Sequence, residues 1–303
     1  MPAEDPRSSR DRSEAARRRG LRRRQVRRRR AAALAVVAAV VLLCVLALNA
    51  FDGERLTGSG RAAERKPLVP AAVADLRVRR LARIGKPIYC GGRHRPYVAL
   101  TFDDGPGPST AAAVRELLAR RVPATFFLVG QNVARYRSVL PLEARAGAIG
   151  DHTFHHVQLT ALALVDAGRE IDDAARAITT VTHSPVRLMR PPSGARTPPI
   201  DAVVRAEGML QVLWDVDVQD IEGAGTAAVV DAVRRHARPG SIVLMHENEG
   251  QTLAALPQVL DALARKHLRP VTVPELMAAD PPSPAQLEAG PTGCGLHPSE
   301  PGA

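Results

Sequence analysis

The sequence predicts an α/β protein, a seven-stranded (β/α) barrel preceded by a single N-terminal transmembrane helix. Three observations carry this prediction. Short apolar runs alternate with segments of helical period across residues 96–280. The residue types able to do chemistry fall at or just past the C-terminal ends of those runs, where a (β/α) barrel builds its active site. Ahead of them, the 21 residues from Ala31 to Phe51 carry no charge and follow a strongly basic tail.

The tail comes first. Residues 1–30 hold 13 arginines against four acidic residues, a net +9 of the chain's +11, which leaves +2 for the remainder. The basic balance therefore belongs to the tail. With no aromatic residue interleaved, it does not read as a nucleic-acid surface. It does suit the cytoplasmic flank of a membrane span. The run AAALAVVAAVVLLCVLALNAF, residues 31–51, is long enough to cross about 30 Å of hydrocarbon at about 1.5 Å per residue. Arg17 to Arg30 would stay inside, which places the rest of the chain outside the cell membrane. A cleaved signal peptide is the competing reading, since small residues stand at Ala47 and Ala50, and cleavage would make the protein secreted. Cys44 reads as apolar filler within the span.

Residues 52–95 are rich in Gly, Arg, Lys and Pro without a sustained period, and read as an extracellular stalk. Seven strand-like runs then follow: 97–102, 124–129, 148–153, 186–189, 210–216, 241–246 and 270–273. Helical segments such as AAAVRELLARR, EIDDAARAITTV and TAAVVDAVRRHA lie between them. A doubly wound sheet would gather its ligands at a single switch point. Here the reactive residues are spread over successive run ends, which favours the barrel. Residues 281–303 are so rich in Pro and Gly that no regular element is expected. Cys90 and Cys294 bracket the soluble part; outside the cell they either pair or remain free thiols. Nothing signals an oligomer, and a monomer is expected.

The chemistry is carried by five short motifs. TFDDGP, residues 101–106, sets Asp103 and Asp104 side by side where a strand breaks into a turn at Gly105 and Pro106. In an extended segment the two carboxylates would point to opposite sides, one toward a metal and one toward a water. In HTFHH, His152 and His156 are four apart, and a helical turn would bring both imidazoles to one face. Two histidines and a carboxylate make a divalent-metal site with positions left open. His155 is read as a bystander. Arg190 follows the fourth run and His246 ends the sixth. Singly, each of these signals is weak, because DDG turns and HxxxH pairs are more often structural than functional.

Taken in order, the five motifs resemble those of the polysaccharide deacetylases with the NodB homology domain, carbohydrate esterase family 4, over about residues 96–280. The resemblance implies a distorted (β/α) barrel. It implies that Asp103 is the general base and that Asp104, His152 and His156 are ligands of a divalent ion, Zn2+ first with Co2+ or Ni2+ as alternatives. RPPSG at 190–194 matches the third motif, with Arg190 positioning the base and Pro192 and Ser193 beside the substrate. Leu244 and His246 match the fifth, in which the His is the general acid and the Leu lines the acetyl pocket. Asp220 is implied to support His246.

Four positions depart from the pattern. Ser193 replaces an aromatic, Ile221 replaces the Trp that follows the fourth-motif Asp, Asp151 replaces an Asn and Val157 a Pro. The hydrolytic groups are intact, and Ser193 still offers a backbone N–H for an oxyanion. The implied activity is metal-dependent N-deacetylation of GlcNAc or MurNAc in peptidoglycan or a chitin-like glycan, by attack of a cation-activated water. An O-acetyl esterase and a non-catalytic glycan-binding module are the alternatives.

Overall fold

The computed structural model describes residues 66–296. The expected membrane span at 31–51 and basic tail at 1–30 lie outside the described residues. Among those described, no helix is long and apolar enough to cross a membrane.

The first described element corrects the stalk. Within 52–95, residues Ala71–Ile84 form helix α1, ended by Gly85 in the left-handed region, φ 74°. It buries Ala74, Val78, Leu81 and Ala82 on one side. Its exposed side is crowded with arginine, so the apolar period is legible on half of the helix alone.

The sheet then unfolds in chain order: β1 (Tyr97–Gly105), α2 (Thr110–Arg120), β2 (Ala124–Leu128), α3 (Gly130–Arg135), α4 (Leu140–Ala146), β3 (Gly147–Asp151), α5 (Leu164–Thr182), β4 (Leu188–Met189) and α6 (Pro198–Ala206). It continues with β5 (Leu210–Gln211), β6 (Val216–Asp217), α7 (Thr226–His236), β7 (Ile242–His246), α8 (Gly250–Arg265), β8 (Arg269–Val271), α9 (Val273–Ala279) and α10 (Pro284–Ala289). All the strand pairings are parallel, in the order β5-β4-β3-β2-β1-β7-β6. The two edge strands are the two ends of one segment, 210–217. The run LQVLWDV thus bends away from β4 and onto β7, curling the sheet in the manner of a (β/α) barrel.

The distortion lies at β1. Ala99 pairs with Ile242 of β7 and with Val271 of β8, so these two must flank it on opposite sides. β8 therefore shares an edge with β2, beside the start of β1. Alternation along the strands sorts the side chains into two layers. Leu100, Phe102, Phe126, Val243 and Met245 join the layer between sheet and helices. Ala99, Phe127, Leu188, Ile242 and Leu244 point to the barrel interior, in one apolar cluster with α1 and α9. Those two helices thus close the floor of the barrel, at the N-terminal ends of the strands. Each fully buried Leu, Ile or Phe contributes about 1.5–3 kcal/mol, so the floor helix belongs to the folding unit.

A second correction concerns residues 281–303. A capping box, in which Ser283 accepts from Gln286 N–H and the Gln286 side chain returns to Ser283, starts helix α10. A short 3-10 turn, Gly290–Cys294, follows. The two expected cysteines pair: Cys90 and Cys294 form a disulfide with Cα atoms 5.8 Å apart.

Candidate active site

The site lies at the C-terminal ends of the strands. β1 pairs Asp103 with His246 of β7, residue against residue. The pairing of β1 with β2 shifts register between Phe102 and Gly105, and Asp104 takes φ 68°. This is where the expectation of opposed carboxylates fails. The left-handed residue swings the second carboxylate back, so His152 Nε2 lies 3.6 Å from Asp103 Oδ2 and 3.5 Å from Asp104 Oδ1.

The expected helical turn at HTFHH is also replaced. Residues 152–158 form a loop in which Thr153 and His156 adopt φ 64° and 57°. The loop brings the two imidazole centroids to 4.9 Å. Eight non-glycine residues among those described have positive φ. Arg121, His183 and the residue after the α8 cap, His267, end helices. Asp104, Thr153, His156 and Ser193 cluster in the site motifs, where such strain, about 1–3 kcal/mol each, marks geometry held by its surroundings.

Asp104, His152 and His156 each offer one ligand atom, all within 4.8 Å of one another. His152 Nδ1 donates to the Arg190 carbonyl at 2.7 Å, which fixes Nε2 as the lone-pair nitrogen facing the carboxylates. Asp104 Oδ1 is buried and accepts no well-formed hydrogen bond, with His156 Nε2 3.1 Å away. Lone pairs converging without donors fit a divalent cation. Burial works to raise the Asp104 pKa, but contact with His156 and the charges of His152, His156 and His246 outweigh it, bringing it to about 2. His156 is raised, mainly by Asp104, whereas burial lowers His152.

Two second partners hold the remaining groups. Arg190 is completely buried and donates to Asp103 Oδ1 at 2.7 Å, to Thr101 Oγ1 at 2.8 Å, and to the carbonyls of Val212 and Leu213. Its guanidinium also lies 4.2 Å from the Phe127 ring centroid. Asp220, also buried, accepts from His246 Nδ1 and from the His246 backbone N–H, both at 2.7 Å, and from Thr252 Oγ1. Burial disfavours the charged imidazole, but Asp220, with Asp103 and Asp104, raises the His246 pKa to about 9.

Residues 91–212 match the family described as polysaccharide deacetylase. The chain is 35% identical over 188 residues to a chitooligosaccharide deacetylase of Sinorhizobium fredii, covering 57% of this chain and 87% of that protein. This chain belongs to the polysaccharide deacetylase family. It is also similar to a peptidoglycan-N-acetylglucosamine deacetylase of Bacillus cereus, at 32% identity over 59% of this chain and 87% of that one. Among solved structures it is similar to a family 4 carbohydrate esterase from Streptomyces lividans in complex with acetate. There the TM-score is 0.56 and the identity 35%, over 60% of this chain and 92% of that chain. The protein is a polysaccharide deacetylase, a hydrolase.

The other expected residues of the deacetylase fall as follows. Leu244 is buried in the interior, level with Thr101. Pro192 is buried and Ser193 exposed, at the 3-10 turn Pro192–Gly194 after β4. Ile221 is exposed; its N–H donates to Asp220 Oδ1 at 3.0 Å. His155 turns away and bonds Glu170 at 2.7 Å, in keeping with a bystander. Asp151 is fully buried, and burial pushes its carboxyl well above the ordinary range. A neutral carboxyl has nearly the shape of the Asn amide it replaces. Sequence reasoning did not single out Thr101 or Thr252. Thr101 was readable as the residue two before Asp103, on the same face of β1. Thr252 lies on α8 and had no signal of its own.

Proposed function

We propose that this deacetylase removes acetyl groups from the N-acetylated sugars of a cell-wall glycan, peptidoglycan or a chitin-like polymer, outside a membrane to which its N-terminal segment anchors it. The observation that carries this reading is the register pair Asp103–His246, a carboxylate and an imidazole side by side next to the Asp104–His152–His156 donor set. Amide hydrolysis needs both a group that takes a proton and a group that returns one.

Asp104, His152 and His156 would hold the divalent ion, with Zn2+ the best match to one oxygen and two nitrogens. Bound there, it supplies Lewis acidity to the acetamide carbonyl. The chain's own residues supply the rest. Arg190 holds Asp103 Oδ1 and leaves Oδ2 facing the site, where it takes the proton of the attacking water. Asp220 occupies His246 Nδ1, so the proton on Nε2 is the one delivered to the departing amine. That transfer matters because an unprotonated amine is a poor leaving group. The Ser193 backbone N–H would stabilise oxyanion charge.

Acetate release from peptidoglycan and chitin oligomers, with Zn2+ or Co2+ added and with a chelator, tests the reading. Acetate that appears with metal and disappears with chelator supports it. Metal binding without acetate from any of these glycans would sink it.

A further inference from the structure

The site faces one end of the barrel, and the other end carries a surface that the reaction does not use. Helix α1 closes that floor. Its inner side is buried, yet its outer side exposes Val73 at 50%, Leu76 at 44% and Ile84 at 51%. These are three of the six large apolar side chains exposed among the described residues. Val73, Leu76, Arg80, Arg83 and Ile84 share one exposed face, with the apolar pair Val73 and Leu76 toward the N-terminus of the helix and the two arginines beside Ile84 toward its C-terminus. Arg79 beside them is paired with Asp75 at 3.0 Å. Arg80 and Arg83 have no ion-pair partner among the described residues. The same end of the barrel adds Arg95, Arg121, Arg145 and Arg187, each within three residues of the start of β1, β2, β3 or β4. Arg187 also reaches Asp75 of α1 at 3.5 Å, which ties the helix to that rim.

We propose that the outer face of α1 docks on an anionic lipid bilayer. Arginine side chains can lay their stems along apolar surface and place the guanidinium at headgroup phosphates. Val73, Leu76 and Ile84 then enter the boundary between headgroups and acyl chains. A protein partner would be served by an apolar patch alone, whereas unpaired arginines on the same face as the apolar side chains match a phosphate-bearing plane. Chain length agrees. The 19 residues 52–70 between the expected span and α1 reach at most about 65 Å. The tether rests on the anchor reading given above; the docking face does not. Seated on its floor, the barrel turns Asp103, His246 and the donor set away from the bilayer, toward the wall.

The test uses the full chain carrying Cys44→Ala and Leu76→Cys, labelled with an environment-sensitive fluorophore, with vesicles containing brominated lipid. A second label replaces Leu164, exposed at the start of α5 at the opposite end. The expected result is quenching at position 76 on vesicles containing phosphatidylglycerol. Quenching should be absent on phosphatidylcholine alone, and absent at position 164. Arg80→Glu with Arg83→Glu should weaken contact about 20-fold or more, while acetate release from a soluble oligomer is unchanged. No quenching at 76 on the anionic vesicles, or equal quenching at both positions, overturns the proposal. So does a response to a soluble glycerol-phosphate polymer without one to vesicles. Flotation after an alkaline wash reports separately on the anchor. If the chain does not float, the same label is read with vesicles added from outside, and the docking face is still judged.

Discussion

Replacing Asp220 by Asn tests the acid half of the site directly. Both Asp220 oxygens only accept: Oδ1 from His246 Nδ1 and the Ile221 N–H, Oδ2 from the His246 N–H and Thr252. An amide cannot reproduce this, because its NH2 must face one of those donors. If it faces His246 Nδ1, the imidazole becomes the neutral tautomer protonated on Nε2. If it faces the backbone, the imidazolium loses its charged partner. Either way the protonated ring is less favoured. A hydrogen bond to a charged group is worth about 1.5–3 kcal/mol, which lowers the His246 pKa by about 1 to 2.

From a starting value near 9, the protonated fraction at pH 8 falls by about 2- to 10-fold, and at pH 6 it hardly changes. A bound cation pulls both enzymes toward lower pKa, so the difference between them is the quantity to read. The assay is the pH profile of kcat/KM for acetate release, supported by titration of the His246 ring by NMR. The expected result is an alkaline limb displaced to lower pH in Asp220→Asn, with nearly equal rates on the acid side. An alkaline limb in the same place for both enzymes would refute the assignment of His246 as the acid tuned by Asp220.

Four further outcomes are expected. Asp103→Asn should retain one divalent ion by elemental analysis and lose turnover, whereas His156→Ala should lose the ion; normal turnover in the first would remove Asp103 from its role. Cys90→Ser with Cys294→Ser opens a loop spanning a separation of 204 residues and should cost about 2–4 kcal/mol, with about 5 as the chain-entropy bound, read by denaturant unfolding. Glu143 and Glu247 are buried together, and neither Glu143 oxygen meets a donor; burial raises Glu143 from 4.5 to about 8. A raised acid stabilises the fold below its unfolded pKa and loses that contribution as pH climbs through the folded value. The unfolding midpoint should therefore fall between pH 4.5 and about 8, and Glu143→Gln should flatten that slope. Ser193→Tyr, on an exposed position, should change KM more than kcat, and a complete loss of activity would contradict the placement of Ser193 in the groove wall.

Much of the site was legible in the chain because it sits on parallel strands. Such strands bury both faces, so they read as apolar runs, and chemistry appears where each run ends. That is why Asp103, Arg190 and His246 could be grouped from the sequence, and why the order of motifs identified the family. Residue types and order do not specify backbone handedness. The αL conformation at Asp104 and the loop at 152–158 replaced an extended pair and a helical turn. Both depend on partners far along the chain, such as the Arg190 carbonyl that fixes His152. Thr252, in the first turn of α8, reaches Asp220 from 32 positions away along the chain.

The same division holds for the fold. By itself the sequence determined the alternation of strand and helix, the residues that meet at the C-terminal ends, and a basic tail followed by an apolar run. Tertiary structure decided that α1 is the floor of the barrel. It also decided that α10 and Cys294 return to Cys90, and that one run bends to form both edges of the sheet. The physical reason is range. Periodicity and capping act within a few residues, whereas floor, disulfide and curl depend on surfaces far apart in the chain, 204 residues for the disulfide, which meet only when the core forms.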